Sequence, residues 1–317
     1  MPDVPPTRFS YLGPEGTFSE VALRTVPEAA DGELVPARSV PEALDAVRSG
    51  EVDAAVAPLE NSVGGAVPVT FDDLAAGSPL QIIREVVLPV RFVFAAAEGL
   101  RPEDVRTVAA HPQASAQCRQ WLRRTVPDAA VIDVLSNATA AVLTARGEYD
   151  AALSTGLAAH RNGLALLAEE VADHRDAMTR FALIARPTRP PEPTGNDITT
   201  LAVFIAHDRV GALLGVLTEL AVRGVNLTRI ESRPSGGRLG RYCFFLDCTG
   251  HVAEARMGEA LAGLRRVCAD VRYFGSYPRA VPPGGAEPPV PPPPGASDAN
   301  FARAAHWLAQ IRAGEQS

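Results

Sequence analysis

The sequence has no lysine, few aromatic residues and only four cysteines among its 317 residues. All 30 basic residues are therefore arginines, and 37 acidic residues outnumber them, which gives a formal net charge of -7. A protein that binds a phosphate backbone needs an excess of positive charge, so we expect no nucleic-acid partner. Because the cysteines show no Cys-x-x-Cys spacing, we expect neither a disulfide framework nor a structural metal.

Long apolar runs and the common cofactor motifs are absent as well. No stretch approaches the roughly 20 uninterrupted apolar residues of a membrane span. The first six residues have neither the charged nor the apolar region of a signal peptide. We therefore expect no membrane association and a cytoplasmic location. The glycine-rich nucleotide loops, the nucleophile elbow and the H-E-x-x-H zinc motif are also missing, which argues against most cofactor-dependent and Ser-His-Asp mechanisms.

Two proline-rich segments divide the chain. Proline removes a backbone donor and interrupts helices and central strands, so segments rich in it are expected to act as linkers. The expected organisation is a catalytic domain over residues 1–186, a linker over 187–197, a second domain over 198–277, a proline-rich spacer over 278–296 and a C-terminal amphipathic helix over 297–317.

The two domains differ in their pattern of elements. In residues 1–186, short apolar runs alternate with helical patterns of about three turns, which predicts an α/β domain with a largely parallel sheet. In residues 198–277, the order strand, helix, strand, strand, helix, strand predicts the α+β, ferredoxin-like βαββαβ arrangement. In α/β sheets, ligands bind in loops beyond the carboxyl ends of the strands.

Polar residues occupy several predicted strand ends in the first domain, where small polar ligands are bound in such folds. Each of them has a simpler explanation as a helix cap or a turn, and a lone histidine can equally be a proton donor, a ligand contact or a cap. An arginine and a threonine also lie directly before a predicted strand. The planar guanidinium of the arginine can bind a carboxylate, and the threonine hydroxyl can donate a hydrogen bond. The candidates are Thr17, Glu60, Asn61, Ser62, His111, Gln113, Ser136, Thr179, Arg180 and Phe181.

Taken together and in this order, four motifs resemble the prephenate dehydratase family. They are Gly-Pro-Glu-Gly-Thr-Phe-Ser from position 13, Pro-Leu-Glu-Asn-Ser from 58, His-Pro-Gln from 111 and Thr-Arg-Phe from 179. Downstream, Gly-Ala-Leu from position 211 and Asn-Leu-Thr-Arg-Ile-Glu-Ser-Arg-Pro from 226 resemble the ACT regulatory domain. The resemblance covers about residues 8–277. It departs from the family at Gly64, where glutamate is usual, and at Asn137, where threonine is usual.

The resemblance implies a two-lobed catalytic domain, similar to periplasmic binding proteins, that converts prephenate to phenylpyruvate, water and carbon dioxide in phenylalanine biosynthesis. Thr179 is expected to assist the leaving hydroxide, with Glu60 or His111 as the neighbour that relays the hydrogen bond. Carboxylates would be held by Arg180 and by N–H groups near Thr17 and Ser136. Asn61, Ser62, Gln113 and Phe181 complete the expected substrate site. No metal, nucleotide or other cofactor is required.

The ACT resemblance implies phenylalanine as an allosteric effector, bound at an interface between subunits of a homodimer or homotetramer. The expected effector-binding residues are Gly211, Ala212, Leu213, Asn226, Leu227, Glu231, Ser232 and Arg233. Two alternatives remain open at this point. One is arogenate dehydratase, whose substrate has an amino group in place of the keto oxygen, and the other is a catalytically silent amino-acid sensor.

Overall fold

The computed structural model describes residues 7–205, 210–234, 242–281 and 291–315. Residues 282–290 of the expected spacer and 316–317 of the expected helix lie outside the described residues. The chain divides into two compact units, Met1–Asp73 with Val86–Arg186, and Leu74–Glu85 with Pro187–Ser317. Residues 74–85, which the sequence analysis placed in the first domain, therefore group with the second unit.

Strands and short helices alternate up to residue 185. The elements are β1 (Arg8–Leu12), α1 (Phe18–Arg24), β2 (Glu33–Ala37), α2 (Val40–Ser49), β3 (Ala54–Asn61), β4 (Gly65–Ala66), α3 (Pro68–Ala76), β5 (Gln81–Pro89), β6 (Val93–Ala96), β7 (Thr107–Ala110), α4 (Pro112–Gln117), α5 (Arg119–Thr125), β8 (Ala130–Asp133), α6 (Asn137–Ala145), β9 (Ala151–Ser154), α7 (Gly156–Arg161), β10 (Ala165–Ala168) and β11 (Met178–Ala185). Single 3-10 turns lie at Pro27–Ala29 and Pro102–Asp104.

The first lobe is built on a sheet with the order β2-β1-β3-β11-β5, and β4 also pairs with β3. β1 is parallel to β2 and β3, as expected. β11 is antiparallel to β3, so the sheet is mixed rather than largely parallel. The sequence could not reveal this pairing, because β11 is separated from β3 by the whole second lobe.

The second lobe is built on a sheet with the order β10-β6-β9-β7-β8. β7 is parallel to β8 and β9, and β6 is antiparallel to β9 and β10. Its core includes Phe94, Val108 and Leu153, all without solvent exposure. Residues 114–124, whose apolar pattern predicts one helix of about three turns, lie in two helices, α4 and α5. The break follows Cys118, where Asp173 accepts hydrogen bonds from the first N–H groups of α5.

The second unit contains β12 (Asp197–Phe204), α8 (Ala212–Ala221), β13 (Leu227–Pro234), β14 (Tyr242–Thr249), α9 (Ala255–Val267) and β15 (Asp270–Pro278), followed by α10 (Asp298–Arg312). The sheet order is β13-β14-β12-β15, and each neighbouring pair is antiparallel. The expected βαββαβ arrangement is therefore confirmed. α8 and α9 pack on one face of the sheet through Val216, Leu220, Met257 and Leu264.

The C-terminal segment contacts the second unit before α10 begins. Ala296 is buried, and a Cβ on Gly224 would lie 2.8 Å from its Cβ. Asp298, the first residue of α10, accepts a hydrogen bond at 2.9 Å from the N–H of Ala255, the first residue of α9. α10 itself has no buried residue. None of the described helices is long and apolar enough to cross a membrane.

Candidate functional site

A cavity of about 750 Å³ lies between the two lobes of the first unit. Four residues singled out in the sequence contribute to its walls: Thr17 from the first lobe, and His111, Gln113 and Ser136 from the second. The remaining lining residues are Leu12, Gly13, Pro14, Phe18, Ser19, Pro36, Ala37, Arg38, Leu135, Asn137 and Thr139. Most of them lie at or just beyond the carboxyl ends of β1, β2, β7 and β8, as expected for an α/β sheet.

Thr17 immediately precedes α1, but its side chain does not cap that helix. Its Oγ1 donates instead to the carbonyl oxygen of Leu12, at 2.8 Å. This bond closes the loop between β1 and α1 on itself. The simple capping explanation for Thr17 is therefore wrong, and the residue remains a candidate for ligand contact.

His111 precedes α4 and does act as its cap. Its Nδ1 accepts a hydrogen bond from the N–H of Gln113 at 3.2 Å. A neutral imidazole whose Nδ1 accepts must carry its proton on Nε2, so this ring offers the cavity a donor. This arrangement suits a hydrogen-bond donor to an anionic or hydroxyl group better than a general base.

Ser136 caps α6, accepting a hydrogen bond from the N–H of Thr139 at 2.9 Å. The next residue, Asn137, accepts from the N–H of His111 at 3.4 Å. The amino-terminal end of α6 therefore lies at the cavity, where its partial positive charge favours a carboxylate. The sequence departure at Asn137 thus falls on a cavity residue that also fixes the His111 backbone.

Arg38 is a cavity residue that the sequence analysis missed. It is the only arginine among the lining residues, and its side chain is 92% exposed. Its Nε lies 3.1 Å from a carboxylate oxygen of Glu42, and this hydrogen bond raises the pKa of Arg38. The available signal was its place directly after β2, the parallel neighbour of β1, because the carboxyl ends of parallel strands meet at one edge of a sheet.

A second cluster forms where β3 ends and β11 begins, and none of its residues lines the cavity. Thr179, which is 9% exposed, pairs with Asn61 in the strand register. The Nδ2 of Asn61 donates to Thr179 Oγ1 at 2.8 Å. Asn61 is held in this orientation because its Oδ1 accepts from the N–H groups of Val63 and Gly64, at 2.9 and 2.8 Å.

Ser62 ties the same two strand ends together through the backbone. Its N–H donates to the carbonyl oxygen of Met178 at 2.9 Å, and its hydroxyl accepts from the N–H of Met178 at 3.0 Å. With both of these bonds made, Ser62 fixes the position of Thr179, the neighbour of Met178. We therefore assign Ser62 a supporting position in the cluster.

Glu60 and Arg180 face each other across β3 and β11 at 4.0 Å. The arginine is the more shielded of the two, with 17% of its side chain exposed against 42% for the glutamate. Phe181, by contrast, is 2% exposed and lies in the core. The expectation that Phe181 contacts the substrate does not fit this placement, because its ring packs inside the lobe.

Gln113 connects the cavity to the Asn61–Thr179 cluster. A Cβ placed on Gly64 would lie 3.7 Å from Gln113 Nε2 and 3.5 Å from Asn61 Oδ1. Gln113 also lines the cavity. The second departure from the family pattern, Gly64, therefore lies between the two groups of candidate residues, where its missing side chain leaves room.

The candidate effector residues of the second unit lie on two different faces of its sheet. Gly211 is exposed at φ +81° directly before α8, and Ser232 pairs with Phe244, which packs on the core under the helices. Neighbouring residues of a strand point to opposite faces. Glu231 and Arg233 therefore lie on the face away from the helices, where they pair with each other at 3.4 Å.

The other expected effector residues are on or near the helix side. Ala212 and Leu213 begin α8, and Leu227 packs partly against the core beneath it. Asn226 is exposed in the connection before β13, and its carbonyl oxygen accepts from the N–H of Thr249 at 2.9 Å. Within the described ranges, no three His, Cys, Asp or Glu side chains are grouped as a metal site would require.

Comparison with known proteins identifies both units. The profile of the prephenate dehydratase family matches residues 9–189, and that of the ACT domain matches residues 199–266. The chain is 49% identical over 312 residues to the prephenate dehydratase of Amycolatopsis methanolica, covering 98% of this chain and 100% of the relative. It is 46% identical over 316 residues to that of Mycobacterium tuberculosis, covering 97% and 95%.

A solved structure agrees with these matches. It is the crystal structure of the Arthrobacter aurescens prephenate dehydratase in complex with L-Phe. The two structures have a TM-score of 0.90 and 44% sequence identity, with 96% of this chain and 99% of the other covered. The expected combination of a two-lobed α/β domain and an ACT domain is confirmed, and the chain belongs to the prephenate dehydratase family.

Proposed function

We propose that the protein converts prephenate to phenylpyruvate, water and carbon dioxide at a site formed by the cavity of its first unit together with the adjoining Asn61–Thr179 cluster. The observation that carries this proposal is the Asn61–Thr179 pair. Because Thr179 Oγ1 already accepts a hydrogen bond from Asn61, its own proton is available to another acceptor. A buried hydroxyl polarised in this way is suited to stabilise a departing hydroxide.

The reaction needs little beyond that donor. The bond between the ring and its carboxylate breaks, carbon dioxide leaves, and the released electron pair enters the ring as the hydroxyl group departs from the opposite carbon. A proton combines with the departing hydroxide to give water, and the ring becomes aromatic. Catalysis therefore consists of holding a dianion in one pose and stabilising charge on the leaving oxygen.

The residues divide these tasks by their chemistry. Arg38 and the amino-terminal end of α6 would hold carboxylates, and Arg180 would add positive charge near Thr179. The Nε2–H of His111 and the amide of Gln113 would orient the ligand between the two clusters. Glu60 is placed to orient Arg180, which makes His111 the better candidate for relaying a hydrogen bond to the reacting end.

The direct test is turnover of prephenate by the purified protein, followed by the ultraviolet absorbance of phenylpyruvate. Formation of phenylpyruvate, lost in the Thr179→Val variant, would support the proposal. Arogenate in a parallel assay tests the amino substrate, whose product would be phenylalanine. Turnover of neither substrate, with a folded protein, would leave the silent sensor as the better description.

We further propose that phenylalanine regulates the enzyme through the second unit of a homodimer or homotetramer. The Gly211–Leu213 segment, Asn226, Leu227 and Ser232 lie on or near the helix side, so we assign the effector site there. Glu231 and Arg233, also expected to bind the effector, lie on the opposite face of the sheet, and their side chains pair with each other at 3.4 Å.

Calorimetric titration of phenylalanine into the wild type and a Gly211→Val variant tests the site. Valine strongly disfavours the φ of +81° at this position, so binding should weaken in the variant. At a typical coupling energy, saturating phenylalanine should change substrate affinity or activity about 5- to 150-fold in the wild type. Equal binding by both proteins would rule out this site, and sedimentation with and without the ligand would report assembly.

A further inference from the structure

A buried and heavily paired charge in the first unit lies outside the candidate site. Glu20, on α1, is 1% exposed. Its carboxylate accepts from the N–H of Gly16 at 2.6 Å, from Arg24 Nε at 2.8 Å and from both terminal nitrogens of Arg161, each at 2.6 Å. A buried carboxylate is tolerated only when its oxygens are paired in this manner. The four hydrogen bonds therefore compensate for the burial of the Glu20 charge.

The partners of Glu20 come from both lobes. Gly16 and Arg24 belong to the first lobe, whereas Arg161 is the last residue of α7 in the second. The planar guanidinium of Arg161 meets the carboxylate with two parallel hydrogen bonds, the geometry in which arginine is strongest. The Glu20 carboxylate therefore links the two lobes through hydrogen bonds.

The loop before α1 touches α7 at two further points. The hydroxyl of Thr155, which caps α7, donates to the carbonyl oxygen of Gly16 at 2.6 Å. A Cβ on Gly16 would lie 2.7 Å from the Cβ of Ala158, so only glycine allows this approach without displacement. Both the N–H and the carbonyl oxygen of Gly16 are thus held, and the next residue is Thr17, which lines the cavity.

The pairing is permanent at ordinary pH. Burial by itself would raise the pKa of Glu20, but hydrogen bonds from Arg161, Gly16 and Arg24 more than offset it and lower the pKa to about 2. The carboxylate is therefore ionised at neutral pH. The ion pair between Glu20 and Arg161 is therefore present at neutral pH.

We propose that Glu20 and Arg161 are positioning residues, which hold the Gly16–Thr17 peptide at the cavity wall and thereby set the affinity for the substrate. This inference rests on the proposed function, because substrate affinity is measured with prephenate. Neither residue lines the cavity, so each acts through the loop. Their loss should raise KM while leaving the chemical step, which depends on Thr179, nearly unchanged.

Arg161→Gln and Arg24→Gln form a matched pair for the test. Each removes one arginine from the same carboxylate, but only Arg161 comes from the second lobe; Arg24 lies one turn along α1, with 49% of its side chain exposed. Arg161→Gln loses both hydrogen bonds from the guanidinium to Glu20. We expect this variant to raise KM about tenfold, with kcat within about threefold. Arg24→Gln should stay within about twofold on both constants. Equal KM changes in the two variants would overturn the proposal.

Arg161→Lys keeps the charge without the two-pronged geometry, and it should restore only part of the affinity. If Arg161→Gln fails to fold, Arg161→Lys takes its place in the comparison with Arg24→Gln. Titration of prephenate into these variants in a Thr179→Val background measures binding while turnover is slowed about 10²- to 10³-fold. An unchanged dissociation constant there would contradict a positioning role.

Exchange of the Gly16 amide proton provides a readout that needs no substrate. We expect it to be about tenfold faster in Arg161→Gln than in Arg24→Gln, because the carboxylate that accepts from Gly16 loses its anchor in the second lobe. Equal exchange rates of the Gly16 amide proton in the two variants would overturn the proposed positioning role, even if the wild type turns over prephenate. Failure of the wild type to turn over prephenate, with the exchange difference intact, would overturn the proposed function alone.

Discussion

Replacing Thr179 by valine tests the proposed mechanism most directly. Valine keeps the shape of threonine and loses only the hydroxyl, which we expect to stabilise charge that develops on the leaving oxygen. Removing one preorganised donor of this kind costs about 10²- to 10³-fold in kcat, or about 2.7 to 4 kcal/mol. KM should change much less, because the ground-state contacts to the substrate remain.

The same change has a predictable cost in stability. Asn61 Nδ2 loses the acceptor that it reaches at 2.8 Å. An unpaired polar group costs about 1 to 3 kcal/mol when fully buried, and the half-buried Asn61 falls at the lower end of that range. Stability loss by itself must therefore be separated from loss of catalysis. Thr70→Val provides the control: Thr70 is fully buried, and its hydroxyl donates to the carbonyl oxygen of Pro58 at 2.6 Å. That variant should lose stability to a similar extent and keep its kcat.

The assay is the initial rate of phenylpyruvate formation over a range of prephenate concentrations, with thermal unfolding measured on the same preparations. Thr179→Ser restores the hydroxyl and should recover most of the wild-type kcat. If Thr179→Val is destabilised like Thr70→Val but retains kcat within about threefold, Thr179 has no role in the chemical step and the reasoning fails.

Three further predictions follow from other parts of the structure. Arg38→Ala should raise KM severalfold at low salt and less at 0.5 M salt, because an exposed charge is screened; a salt-independent change would argue against this electrostatic role. Glu20→Gln should lower the free energy of unfolding by about 3 kcal/mol above pH 4.5, because folding lowers the pKa of Glu20 to about 2. The wild type should lose this contribution as the pH falls from 4.5 towards 2. Urea unfolding at several pH values measures it, and the same pH dependence of the unfolding free energy in both proteins would contradict it. Truncation after Ala280 removes the hydrogen bond from Ala255 to Asp298 and should destabilise the second unit by about 1 kcal/mol with kcat unchanged; an inactive truncated protein of normal stability would refute this.

Local signals in the sequence were sufficient for much of the fold. Residues 39–48 have a helical pattern of about three turns and correspond to α2, where the Ser39 hydroxyl accepts from the Glu42 N–H at 3.2 Å. The βαββαβ order of the second unit was also readable, because its strands and helices have clear periods and short connections. These features depend on residues within a few positions of one another.

The features that the sequence did not reveal depend on contacts between distant positions. The break between α4 and α5 is stabilised by Asp173, which lies more than 50 residues after the N–H groups that it accepts from. The hydrogen bond between Asn61 and Thr179 spans 118 positions, and without the resemblance to a family nothing local connects them. Arg38 was missed for a related reason, since its place at the cavity follows from the neighbouring strand.

The grouping of residues 74–85 with the second unit has a consequence for the modularity of the chain. Ile82 and Gly275 approach so closely that a Cβ on Gly275 would lie 2.2 Å from the Ile82 carbonyl oxygen, and Glu85 accepts from the N–H of Ala280 at 2.7 Å. The second unit is thus encoded in two pieces, with the whole second lobe and β11 between them. A cut between residues 186 and 187 would separate residues 74–85 from the unit with which they group. We therefore expect a fragment of residues 187–317 to be less stable than the same unit in the whole chain.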